Sequence, residues 1–446
     1  MEDATVQGHA APEFAAVERE FRTHFAERGE VGAALAVQVR GLPVVDLWGG
    51  LADPETGRPW EHDTVQVVWS ATKGLVATCL AMLADRGRLD YASPVCRYWP
   101  EFAAAGKQRV TVGELLSHQA GLPFLDEPIP LSTVAVPDAL SDLLAAQRPH
   151  WEPGTAHGYH AVTWGFYAAE LLRRIDGRTV GAFLNDEVAG PLGVRAYIGT
   201  PREVAATVAT LVPAPPAVPA MGEAGTTTAG TGARPGGSPD PAGSGGTQGG
   251  TGGRGGVADR GAATPSGTPA SDTSDTSDTS ASGAPAWDPD SDMMRAMLTL
   301  PELALPGADH DPDVLALEIP SGCGVTNARA LARVYAALAA GGTLDGVRLM
   351  APDSVKAATT TAVEGQDRIL GELTAFAQGF MKPSTSFFQV SGNPEAFGHP
   401  GSGGTLAFAD PACGLSFAYV TNGQTLSHTD WRALSLVDAV YRVLAA

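Results

Sequence analysis

Val67-Val68-Trp69-Ser70-Ala71-Thr72-Lys73-Gly74 is an apolar, strand-like run that feeds a serine at a helix start, with a lysine three residues on. Positions i and i+3 share one face of a helix, so the spacing predicts that the Ser70 hydroxyl and the Lys73 amine meet. A nucleophile beside its base is one meaning of that pair. A serine N-cap with a solvated lysine is the other, and for an isolated Ser-x-x-Lys it is the better one, because the pattern is short and common. Beyond it, Leu75, Val76, Cys79, Leu80 and Leu83 recur at helical spacing to a stop near Gly87, which predicts a largely buried helix. The rest of the chain has to decide what a polar pair does at its head.

Upstream, a helix is expected from about Pro12 to Arg28, with Phe14, Val17, Phe21 and Phe25 on one face. The apolar runs Val31–Val39 and Val44–Trp48 flank Arg40-Gly41-Leu42-Pro43 and predict an antiparallel hairpin. Turn residues Asp53–Gly57 follow, and the run Val65–Trp69 then delivers the chain to Ser70. Downstream, Thr111–Leu116 and Ser117–Pro123 predict a short helix ending in a turn, where His118 is better suited to a structural hydrogen bond than to catalysis. Tyr159 follows the Pro153-Gly154 turn and precedes a helix over Val162–Ile175; taken alone it is a packing residue with a polar handle.

From about Pro213 to Trp287 the chain is Gly, Ser, Thr, Pro and Ala, with Ser-Asp-Thr recurring from Ser271. Such a stretch has too little bulky apolar surface to offset ordering entropy, so it is read as a disordered surface insertion. Helical spacing returns over Asn327–Ala340 and from about Asp430 to Leu444, with strands expected at Phe376–Met381, Thr405–Ala409 and Leu415–Val420. Phe397-Gly398-His399-Pro400-Gly401-Ser402-Gly403-Gly404 lies between two of these strands. Its glycines permit close backbone approach and free amides to donate, and no Walker lysine follows to make it a phosphate loop.

Composition limits the function classes. The 446 residues are 44% apolar, enough for a substantial core, and the net charge of −20 without basic runs argues against nucleic acid or an anionic membrane surface as partner. The sequence pI is about 4.8. The start Met1-Glu2-Asp3-Ala4-Thr5 has no basic export leader and no later run is long enough to span a bilayer, so a cytoplasmic location is expected. Cys79, Cys96, Cys323 and Cys413 lack metal or CxxC spacing and are read as reduced, packed thiols. The histidines show neither HxxxH nor HxH spacing, so no metal and no cofactor is expected.

Ser70-Ala71-Thr72-Lys73, Tyr159 after its Pro-Gly turn, and His399-Pro400-Gly401 before a strand resemble, in order and rough spacing, the three motifs of the serine β-lactamase and penicillin-binding-protein superfamily. Leu115–Pro123 and Pro191-Leu192-Gly193 support the likeness, which runs from about residue 14 to the end apart from the insertion. Within the superfamily the chain most resembles the carboxylesterases related to class C β-lactamases. The resemblance implies a mixed α/β (α+β) fold: an antiparallel sheet flanked by helices, built from residues 1–75 and 288–446, plus a mostly helical domain from 76–212, with 213–287 as the insertion.

It further implies Ser70 as nucleophile, Lys73 as base or as the partner of the base, Tyr159 as proton shuttle, and the amides of Ser70 and Ser402 as oxyanion donors, with His399 and Gly401 beside the substrate. His157 and His160 bracket Tyr159 and are candidate substrate contacts or structural residues. A β-lactamase of this type has asparagine two positions after the tyrosine and Lys-Thr-Gly in the third motif, where this chain has Ala161 and His399-Pro400-Gly401. That exchange of a lysine for a histidine of conditional charge favours a serine esterase acting on small-molecule carboxylic esters over a β-lactamase or D-Ala-D-Ala peptidase. An acyltransferase or peptide cyclase would use the same acyl-serine, and an inactive binding scaffold is the reading from another class.

Overall fold

Alternating side-chain direction explains the apolar runs at both ends of the chain. In the computed structural model, which describes residues 6–213, 291–305, 307–425 and 431–446, these runs form one large antiparallel sheet. Its strands are β1 (Gln7–Ala10), β2 (Gly32–Val39), β3 (Leu42–Asp53), β4 (Arg58–Pro59), β5 (Val363–Gln366), β6 (Leu373–Phe376), β7 (Met381–Lys382), β8 (Phe397–Pro400), β9 (Leu406–Asp410) and β10 (Leu415–Thr421). Their order is β1-β3-β2-β10-β9-β8-β7-β6-β5, with β4 on β3. The two ends of the chain meet where Leu415–Thr421 pairs with Val39–Ala33.

Both faces of the central strands are covered, so they read as continuous apolar runs rather than alternating ones. Leu35, Val37, Phe408, Phe417 and Tyr419 point to one core, where Val17, Phe21 and Phe25 of α1 (Ala15–Glu27) and Leu436, Val437 and Val440 of the C-terminal helix Trp431–Leu444 pack. Ala34, Ala36, Ala407, Ala409 and Ala418 point to the other core, where small side chains admit Leu331, Val334 and Leu338 of the helix Ala328–Ala339. That second core also contains α2 (Thr72–Asp85), buried from Thr72 to Leu83 and packed against the helices Thr163–Asp176 and Pro352–Thr359. The predicted α/β fold class is thus the observed one, and residues 76–212 contribute helices together with one short strand, Ala196–Tyr197.

Three local expectations need correction. The hairpin turn is two residues, Arg40 and Gly41, both left-handed at φ 52° and 78° as a tight hairpin demands; Pro43 lies within β3 where the register with β2 shifts. Phe376–Met381 is no strand. Phe376 pairs with Met381 across a tight reversal through Gly379 (φ 88°), a glycine whose added Cβ would also lie 2.6 Å from the Trp164 ring. Val65–Trp69 keeps only Gln66–Val67 as strand, paired with Val325–Thr326. The insertion lies outside the described residues. Among the described residues no helix is long and apolar enough to cross a membrane.

Candidate active site

Ser70 sits in a single 3-10 turn, Trp69–Ala71, that leads directly into α2. The turn is held at three points: Val68 N–H donates to Gly324 O at 2.9 Å, Thr72 Oγ1 donates to Trp69 O at 2.5 Å, and Gly324 N–H donates to Thr72 Oγ1 at 3.0 Å. Trp69 takes φ 47°, a conformation costly for a bulky residue and sustained here by this bracing. The braced turn leaves Ser70 half-buried at the head of a helix that is buried from Thr72 to Leu83.

Lys73 is completely buried, and its Nζ lies 3.2 Å from Ser70 Oγ, 2.7 Å from Ala161 O and 3.1 Å from Ser321 O. Burial pushes its amine well below the ordinary 10.5, because the charged form loses its hydration. Among the described residues no carboxylate pairs with it to offset that loss. A neutral amine has two N–H donors and one lone pair, so the two carbonyls take the donors and the lone pair is left for the Ser70 hydroxyl. The backbone carbonyl of Ala161 thus supplies one of the two acceptors that orient the amine.

Tyr159 is buried against the same pair, with Lys73 Nζ 4.9 Å from its ring centre and Ser70 near enough to its phenol to influence its proton. Desolvation raises the phenol far above its ordinary value, so it stays protonated. His399 lies across the tyrosine, with ring centres 5.9 Å apart. Its Nδ1 is 2.7 Å from Pro400 O, which makes Nδ1 the donor, while Nε2 is buried without a partner. Burial, followed by the nearness of Lys73, lowers its pKa to about 3. The expected conditional charge is therefore corrected: His399 is a neutral imidazole at ordinary pH.

Gly401 follows β8 and must be glycine, since an added Cβ would stand 2.3 Å from Val68 O. This close seat sets the turn Ser402–Gly404, with Ser402 exposed, against the residue that leads into the Ser70 turn. His157 and His160, read as substrate contacts or structural residues, are both buried. His160 is fully buried, its Nδ1 2.6 Å from Gly158 O and its Nε2 accepting from Leu122 N–H at 2.9 Å, so neither nitrogen is left for a ligand. His157 is buried with Nε2 at 2.9 Å from Thr374 Oγ1. His118 has the structural role expected of it: at φ 65°, its Nδ1 accepts the His160 N–H at 3.1 Å.

Ser321 was not singled out by the sequence. Its carbonyl meets Lys73, and its Oγ accepts from Gly165 N–H at 2.7 Å. The glycines of Ser321-Gly322-Cys323-Gly324 before a short strand were the available signal, since Gly324 has room only for Thr72. Asp367, which accepts from Tyr159 N–H at 3.0 Å, carries no local signal at all.

The β-lactamase family model matches residues 15–439. The esterase/β-lactamase LipL of Mycobacterium tuberculosis is 31% identical over 431 residues, covering 94% of this chain and 83% of that protein. A family VIII carboxylesterase superposes with TM-score 0.77 at 32% identity, over 98% of this chain and 100% of the other. A penicillin-binding-protein homologue from Caulobacter crescentus gives TM-score 0.77 at 35% identity, with the same coverage of each chain.

Proposed function

Given that the chain belongs to the β-lactamase family, whose carboxylesterase and esterase members it resembles along its length, we propose that it hydrolyses small carboxylic esters through an acyl-enzyme on Ser70. Relatives named as esterases and the carboxylesterase structure support ester hydrolysis, to which the proposal adds the nucleophile and the steps. The observation that carries it is the buried Lys73 amine, 3.2 Å from Ser70 Oγ and 4.9 Å from the centre of the Tyr159 ring. Ser70 attacks the ester carbonyl as its proton passes to Lys73, and the amides of Ser70 and Ser402 receive the developing oxyanion. Tyr159 then gives its proton to the leaving alkoxide and regains one from the Lys73 ammonium. Water repeats the sequence on the acyl group.

The neutral His399 favours uncharged esters over substrates held by a carboxylate, because it offers no positive charge where a lysine would. Ser70→Ala, assayed on p-nitrophenyl acetate and butyrate, is expected to lose at least ~10³-fold in kcat/KM. Undiminished turnover would overturn the proposal.

A further inference from the structure

We propose that the Asp367 carboxylate is a positioning residue for Tyr159, fixing that residue's backbone so that the phenol can protonate the leaving alkoxide. Asp367 is 1% exposed, and both of its oxygens are engaged. Oδ1 accepts from Tyr159 N–H at 3.0 Å and from Ile369 and Leu370 N–H at 2.9 Å each; Oδ2 accepts from Thr374 Oγ1 at 3.0 Å. The bonds to Ile369 and Leu370 are those of an ordinary turn. The bond to Tyr159 crosses 208 positions of sequence to the residue whose ring lies 4.9 Å from Lys73 Nζ.

Two further bonds grip the same segment: Arg368 N–H donates to His157 O at 3.0 Å, and Thr374 Oγ1 lies 2.9 Å from His157 Nε2. The turn Asp367–Thr374 therefore clamps residues 157–159 at three points. A turn alone would not require a charge here. Among the described residues no cation pairs with Asp367, so the buried carboxylate is compensated by hydrogen bonds, an arrangement costly unless every lone pair is used. A carboxylate accepts amide N–H bonds more strongly than a neutral oxygen does. Its charge also helps keep the Tyr159 phenol protonated, in the same sense as the larger effect of burial.

The inference rests on the proposed role of Tyr159 and is tested through the leaving group. p-Nitrophenolate departs without a proton, whereas an alkoxide does not, so kcat/KM for p-nitrophenyl butyrate and ethyl butyrate separates general-acid positioning from general damage. In Asp367→Ala, ethyl butyrate is expected to lose ~10²-fold and p-nitrophenyl butyrate less than ~5-fold, the pattern of Tyr159→Phe. Asp367→Asn keeps an oxygen for the Tyr159 amide and is expected to fall between wild type and Asp367→Ala, so it serves where the alanine variant does not fold. Equal losses on both esters, or a wild-type ratio in Asp367→Asn, would overturn the inference. Ser70→Ala and Tyr159→Phe run alongside: retained activity in Ser70→Ala, or no leaving-group selectivity in Tyr159→Phe, would instead indict the underlying mechanism.

Discussion

Lys73 Nζ has two carbonyls and one hydroxyl around it, and an amine suits all three as donor, donor and acceptor when it is neutral. Its lowered pKa fixes the sign of the pH dependence: the base is competent above that pKa and lost as pH falls through it. An unshifted lysine would leave kcat/KM climbing past pH 10, whereas here the rise is expected to level off at lower pH. Arginine cannot supply a neutral base and would bury an unpaired permanent charge, so Lys73→Arg should lose ~10³-fold or more in kcat/KM and also melt at lower temperature, as steady-state kinetics and a thermal melt would show. A plateau above pH 10, or an active arginine variant, would remove Lys73 from this role. The serine-lysine meeting was legible from i, i+3 spacing alone, because helix geometry is local. The neutrality of His399 was not, because it depends on burial and on Pro400 O, neither of which sequence spacing reveals.

The two elements that meet at the site, the turn before α2 and the end of β8, approach as closely as backbone permits. Gly401→Ala would place a Cβ 2.3 Å from Val68 O, so one of the two must move. A displacement of this size beside the nucleophile is expected to cost ~10²-fold in kcat/KM. Gly346→Ala is the control, a left-handed position (φ 81°) with open space around it, which should lower stability slightly and leave activity intact. If both variants behave alike, the seat at Val68 has no catalytic meaning. At this scale an element is legible where one strong period or turn marks it, as in Ala15–Glu27 and Gly32–Val39, and is hidden at Phe376–Met381, where an apolar run conceals a reversal that Gly379 alone betrays.

Across the whole molecule, the fold class was legible because both ends of the chain carry apolar runs too short for helices, and because the three motifs occur in order. Which residues support the site was less so, since Asp367 and Ser321 reach it through pairings remote in sequence. The histidines show the same long-range logic. His24 is lowered to about 4, His160 and His399 to about 3, and His118 well below its ordinary value, all chiefly by burial. The unfolded chain protonates these rings near pH 6.5 while the folded chain does not, so stability is full above that pH and lost as pH falls below it. The slope is about 1.4 kcal/mol per unit for each ring. Denaturant midpoints should therefore drop steeply between about pH 6.5 and 5, before ordinary carboxylates titrate; a flat profile would contradict the buried neutral imidazoles. The most direct test of the central claim is intact-protein mass spectrometry after brief exposure to a fluorophosphonate or a p-nitrophenyl ester, with peptide mapping of the adduct. The account predicts one adduct, on Ser70, absent from Ser70→Ala; an unlabelled protein, or an adduct that persists in Ser70→Ala, would contradict it.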